Sequence, residues 1–123
     1  MDSSTPQNRK DLKRAYKETE VQAGIWIVRN LKNGKILLGA AENIGSRLSR
    51  HRFALETRRH ECSDLQLDWD REGGESFSFE MGEVLEKPKD NVFFDIPGEL
   101  KKMEKVYLEK LKPYGERGYH EGP

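Results

Sequence analysis

The residues of this chain best equipped for chemistry are a run of arginines, three histidines and one oddly placed carboxylate. Between Gly45 and His60 stand five arginines, Arg47, Arg50, Arg52, Arg58 and Arg59, against the single acid Glu56. A guanidinium is a planar fork that meets phosphate oxygens two at a time, whereas a surface that needs only solubility is served as well by lysine. The island is therefore a candidate clamp for nucleic-acid phosphate, with a solvated helix face as the plain alternative. His51 follows Arg47 by one helical turn. That spacing sets a possible proton acceptor beside a possible phosphate clamp, the combination that phosphodiester hydrolysis uses.

Glu104 is the third ingredient. Leu100, Tyr107, Leu108 and Leu111 make an apolar stripe at helical spacing, and Glu104 falls inside it, roughly 40° from Leu100 and 20° from Leu111. A buried lone carboxylate needs a partner, either a cation or a metal ion. A structural ion pair with an arginine, or a helix rotated so that Glu104 lies at the rim, would meet the same need. His51, His60 and His120 contain no His-x-x-x-His pair, and Cys62 is the only cysteine. Neither a zinc centre nor an internal disulfide is expected, and Cys62 reads as a reduced bystander.

These residues must be held by elements that the pattern predicts. Gly24-Ile-Trp-Ile-Val-Arg29 and Lys35-Ile-Leu-Leu38 are β-branched and aromatic runs joined through Asn33-Gly34, the signature of a hairpin with a tight turn. Gly39 ends the second strand. Asn43 is the expected N-cap of a helix to about Leu55, in which Arg47 and His51 flank the Ile44 and Leu48 stripe. Ser63-Asp-Leu-Gln66 has the form of a capping box, opening a short helix through Trp69 that stops near Gly73-Gly74. Ser76 to Met81 alternates at period two and predicts a third strand extending toward Leu85. Pro97 starts a last helix that Pro113 stops near Lys112, and a glycine-punctuated tail follows. The fold class is α+β, a small and mainly antiparallel three-stranded sheet flanked by helices. Arg47, His51 and Glu104 are expected to converge on one face of that sheet.

Length and composition fit one core. At 123 residues the chain matches a single domain of about 100 to 150 residues. Residues 1–22 read as a flexible extension with a short helix over Asp11 to Tyr16, and residues 23–120 as the domain. With 36% charged residues, 34% hydrophobic ones and no long apolar window, no membrane span is expected. Met1 to Lys10 lacks the apolar stretch of a signal peptide, so a cytoplasmic location is the expectation. The formal net charge is zero, so any case for nucleic acid rests on the local island rather than on a global field.

The order of these pieces, Gly24-Ile-Trp26, a hairpin, Leu37-Leu-Gly39, then Arg47, His51, His60 and a helical glutamate, resembles the GIY-YIG nuclease family. The likeness is sharpest in Gly39-Ala-Ala-Glu-Asn-Ile-Gly-Ser-Arg47-Leu-Ser-Arg-His51 and recurs in Glu104 to Pro113. The chain looks most similar to small bacterial members with Leu-Gln-x-Asp-Trp segments and a Pro-Tyr-Gly-x-x-Gly-Tyr tail.

The resemblance implies a metal-dependent endonuclease acting on DNA. In it Glu104 would bind one Mg²⁺ or Mn²⁺, and Arg47 would hold the scissile phosphate. Arg50, Arg52, Arg58 and Arg59 would add nucleic-acid contacts. The two signature tyrosines are replaced by Trp26 and Leu37, and the late asparagine by His120. Neither Trp26 nor Leu37 can accept a proton, so His51 or His60 is the candidate general base. The alternative is a catalytically inactive nucleic-acid-binding module on the same scaffold.

Overall fold

Asn30, not the Asn33-Gly34 pair, organises the hairpin. In the computed structural model, which describes residues 21–88 and 90–121, the first strand β1 spans Gly24–Asn30 and the second, β2, spans Ile36–Ala41. Asn30 donates its backbone N–H to Lys35 O and accepts that of Gly34, while its Oδ1 accepts from Lys32 N–H at 2.9 Å. The connection is thus a five-residue loop, Leu31 to Lys35, and the tight turn expected from Asn33-Gly34 does not form. Only Gly34 of that pair takes a positive φ, +79°, a conformation that glycine adopts without steric cost.

The antiparallel register pairs Trp26 with Gly39 and Val28 with Leu37. A third strand, β3 (Phe77–Val84), pairs antiparallel on the other side of β1, giving the order β2-β1-β3. β1 is covered on both faces, which is why its sequence is a nearly unbroken apolar run rather than an alternation. Gly24 sits where β1 meets β3 so closely that a Cβ there would run into Glu83 O.

Two helices lie on one face and one on the other. Helix α1 (Ile44–Glu56) is capped as expected by Asn43, whose Oδ1 accepts from Ser46 N–H at 3.0 Å. Helix α2 (Ser63–Glu72) starts one residue early and without the expected capping box: Cys62 is its N-cap and no side chain bonds to the first turn. The reason is tertiary. Gln66 turns away from the helix start to accept the backbone N–H of His60 at 3.0 Å and to donate to Leu55 O at 3.0 Å, holding the loop after α1. These two helices contribute Ile44, Leu55 and Leu65 to a core with Trp26, Val28, Phe77 and Tyr119. Helix α3 (Ile96–Leu111), capped by Asp95 and ending at left-handed Lys112, packs Met103, Tyr107, Leu108 and Leu111 on the opposite face against Ile25, Ile27, Ile36 and Leu38.

The tail is ordered. Tyr119 donates its backbone N–H to Ile36 O at 2.9 Å, and its buried hydroxyl donates to Asp68 Oδ2 at 2.7 Å while accepting from Asn30 Nδ2 at 3.0 Å. The helix expected over Asp11 to Tyr16 lies outside the described residues.

Candidate functional site

Arg47, Arg50 and His51 on α1, Arg59 and His60 in the loop after it, Trp26 on β1, Leu37 on β2 and His120 in the tail line one open pocket of about 640 Å³. None of the three arginines has a carboxylate within ion-pair distance among the described residues. The one acid among the lining residues is the exposed Glu61.

The arginine island divides. Arg52 leaves the pocket and lays its guanidinium over the Phe79 ring at 4.4 Å, and Arg58 sits 3.9 Å from Asp70. The pocket therefore concentrates charge from Arg47, Arg50 and Arg59 alone.

The histidines form a chain of defined polarity. The Cys62 backbone N–H can only donate, so His60 Nδ1, 2.9 Å away, is its acceptor and carries no proton. The proton of neutral His60 then resides on Nε2, which lies 2.8 Å from His51 Nδ1 and donates to it. Neutral His51 must in turn carry its own proton on Nε2. His51 lies against Trp26, with ring centroids 4.2 Å apart and ring planes tilted by 36°. Burial first, then repulsion from any charge on His60 and from the Arg47 and Arg50 guanidiniums, pushes its pKa down to about 4. Burial also lowers His60 and His120 from the usual histidine range. His120 Nε2 accepts the Leu38 N–H at 3.0 Å.

The Trp26 ring lies against the α carbon of Gly39. A Cβ at Gly39 would come within 2.7 Å of Trp26 Cζ2 and 3.0 Å of its Nε1, so the bare backbone there lets the indole sit flat on β2.

Glu104 does not share a sheet face with Arg47 and His51, contrary to expectation. Its helix α3 packs on the other face, because the stripe that contains it covers Ile36 and Leu38. The half-buried carboxylate reaches the edge of the sheet instead, where Oε1 accepts the Ala40 N–H at 3.3 Å. It also acts electrostatically on His120, whose pKa it raises against the burial that lowers it. Leu38 and His120 line the pocket and Glu104 does not, so the carboxylate adjoins the basic cluster only by way of β2 and His120. Half-buried and engaged in no ion pair among the described residues, Glu104 lies at the rim of its stripe.

No group of three or more His, Cys, Asp or Glu side chains is placed to hold a metal together among the described residues. That donor set does not suit an all-protein cage. It suits Mg²⁺ in its usual mode, one or two carboxylates completed by water and substrate phosphate, and Glu104 keeps one oxygen outside its contact with Ala40.

Sequence reasoning missed three participants: Gln66, the Cys62 backbone, and the contact between His51 and His60. The spacing of the two histidines carried no signal for that contact, because it is made by the intervening loop, with Arg58 at φ 60°.

A three-stranded antiparallel sheet with three helices in this arrangement is a GIY-YIG-like fold, as the solved structures it matches show. Among solved structures, the chain matches the catalytic domain of the homing endonuclease I-TevI with a TM-score of 0.62 at 24% identity, covering 79% of this chain and 95% of that one. It matches a variant of the catalytic domain of the intron endonuclease I-TevI at a TM-score of 0.58 and 23% identity, covering 74% and 84%. No family model matches the chain, and no curated protein matches it. At this identity the likeness is one of fold.

Proposed function

We propose that the pocket holds a backbone phosphate of DNA and that the domain is a divergent, metal-dependent endonuclease. The observation that carries this reading is the set of three arginines without carboxylate partners around one pocket, with Glu104 at the adjoining strand edge. Arg47 and Arg50 would bind the phosphate, and Glu104 would hold a Mg²⁺ or Mn²⁺ ion. Such an ion, when bound, offsets charge that develops on the phosphate and acidifies a water.

The test is incubation of the full chain with single-stranded and duplex DNA in Mg²⁺, Mn²⁺ or EDTA. Expected is metal-dependent cleavage that Glu104→Gln abolishes while binding stays nearly intact, and that Arg47→Ala impairs together with binding. Absence of metal binding at Glu104 and of cleavage of any nucleic acid would overturn the nuclease reading.

One observation favours a second reading, a binding module without cleavage. The ring nitrogens that could accept a proton, His51 Nδ1, His60 Nδ1 and His120 Nε2, are each engaged, and Trp26 and Leu37 offer no acceptor. On this reading wild type binds without cutting, and Trp26→Tyr with Leu37→Tyr confers metal-dependent cleavage.

A further inference from the structure

Two residues that line the pocket each hold a buried ring nitrogen with no partner among the described residues: Trp26 Nε1 and His51 Nε2. Trp26 is only 5% exposed. An unmet buried donor carries the full cost of its desolvation, so native folds rarely retain one without a use. Here two stand on adjacent rings, tilted 36° to one another, of residues that line the pocket with Arg47 and Arg50. The Cys62–His60–His51 chain fixes the second of them, since it leaves His51 no choice but to carry its proton on Nε2.

We propose that Trp26 Nε1–H and His51 Nε2–H are paired donors to the anionic oxygens of a bound phosphate, with Arg47 and Arg50 supplying the charge. His51 is then a phosphate-binding residue and not a general base, and His60 is the positioning residue that sets its tautomer. The inference rests on the reading that the pocket takes phosphate, and it adds which neutral groups recognise it. An indole donor is suited to that role because it has no acceptor and no charge to lose. The depressed pKa of His51 keeps it a neutral donor at ordinary pH.

The test is NMR of the ¹⁵N-labelled full chain near neutral pH, titrated separately with inorganic phosphate and with a short duplex DNA. Long-range ¹H–¹⁵N spectra should show His51 protonated on Nε2. Both the indole and the His51 Nε2–H resonances should move with either probe in wild type, and with neither in Arg47→Ala. Trp26→Phe, which keeps a ring against His51 but removes the donor, should weaken binding about tenfold or more without altering the His51 tautomer.

A shift with phosphate but not with DNA supports the donor pair and sinks the nucleic-acid reading. Binding of DNA that depends on Arg47 but leaves both N–H resonances unmoved overturns the donor pair alone. A His51 protonated on Nδ1, or both resonances unmoved by either probe because water alone fills the pocket, also overturns it.

Discussion

His51 Nδ1 and His60 Nε2 lie 2.8 Å apart across a separation of nine residues, and the direction of that hydrogen bond is set by a backbone amide two residues beyond His60. A peptide N–H cannot reverse, so each imidazole inherits its tautomer from the one before it.

Acid should therefore destabilise this region early. The folded pKa of His51 is depressed from 6.5 to about 4, and His60 and His120 are shifted the same way. The unfolded chain binds these protons first, so stability present above about pH 6.5 is lost as pH falls toward 4. Thermal melts across that range should show Tm falling, and His51→Gln should flatten the decline. A wild-type Tm that held level down to pH 4 would contradict the buried, neutral chain.

Arg50 and Arg52 should not be equivalent. Arg50 faces the pocket, whereas Arg52 covers Phe79 at 4.4 Å. Binding of duplex DNA measured against salt should lose about one unit of slope with Arg50→Glu, as one phosphate contact is removed. Arg52→Glu should change the slope less and instead cost about 0.5 to 1 kcal/mol of stability through the lost cation–π contact. Equal effects on binding would mean that the whole island, not the pocket, meets the nucleic acid.

Gly39→Ala tests the seat of the indole. The added Cβ would stand 2.7 Å from Trp26 Cζ2, and the ring, packed against His51, has little room to yield. The variant should fold with a lowered Tm and bind inorganic phosphate more weakly than wild type, as isothermal titration would show. Unchanged affinity would remove Trp26 from the binding surface.

Tyr119→Phe should cost about 1 to 3 kcal/mol, because Asp68, buried beneath the tail, loses the hydroxyl that donates to it at 2.7 Å. Arg71 remains bonded to the other oxygen of Asp68, and Asn30 keeps Glu72. Urea unfolding should register a lower midpoint with an unchanged slope. A midpoint within error of wild type would mean that the tail is held by its backbone alone.

What was legible in the sequence was whatever depends on neighbours along the chain. The β-branched run before Asn30, the Asn43 cap and the proline that stops α3 are local chemistry, and each produced the element expected. Glu104 stood out because one carboxylate in an apolar stripe breaks a short-range pattern. What misled was local chemistry recruited by distant partners. Gln66 looked like half of a capping box but holds the loop at His60, and Asn33-Gly34 looked like a two-residue turn until Asn30 widened it. The network of Asn30, Asp68 and Tyr119 joins residues separated by 89 and 51 positions. No window of sequence could contain it.

β2 is the outer strand of its sheet, the kind of margin along which proteins stick to one another by adding strands. In this domain three groups along that margin are occupied. Ile36 O is taken by Tyr119, Leu38 N–H by His120 and Ala40 N–H by Glu104. The two candidate site residues of that set therefore double as guards against aggregation. A substitution such as Glu104→Ala, chosen to silence a nuclease, would also reopen a place on the strand where a neighbouring chain could begin to pair.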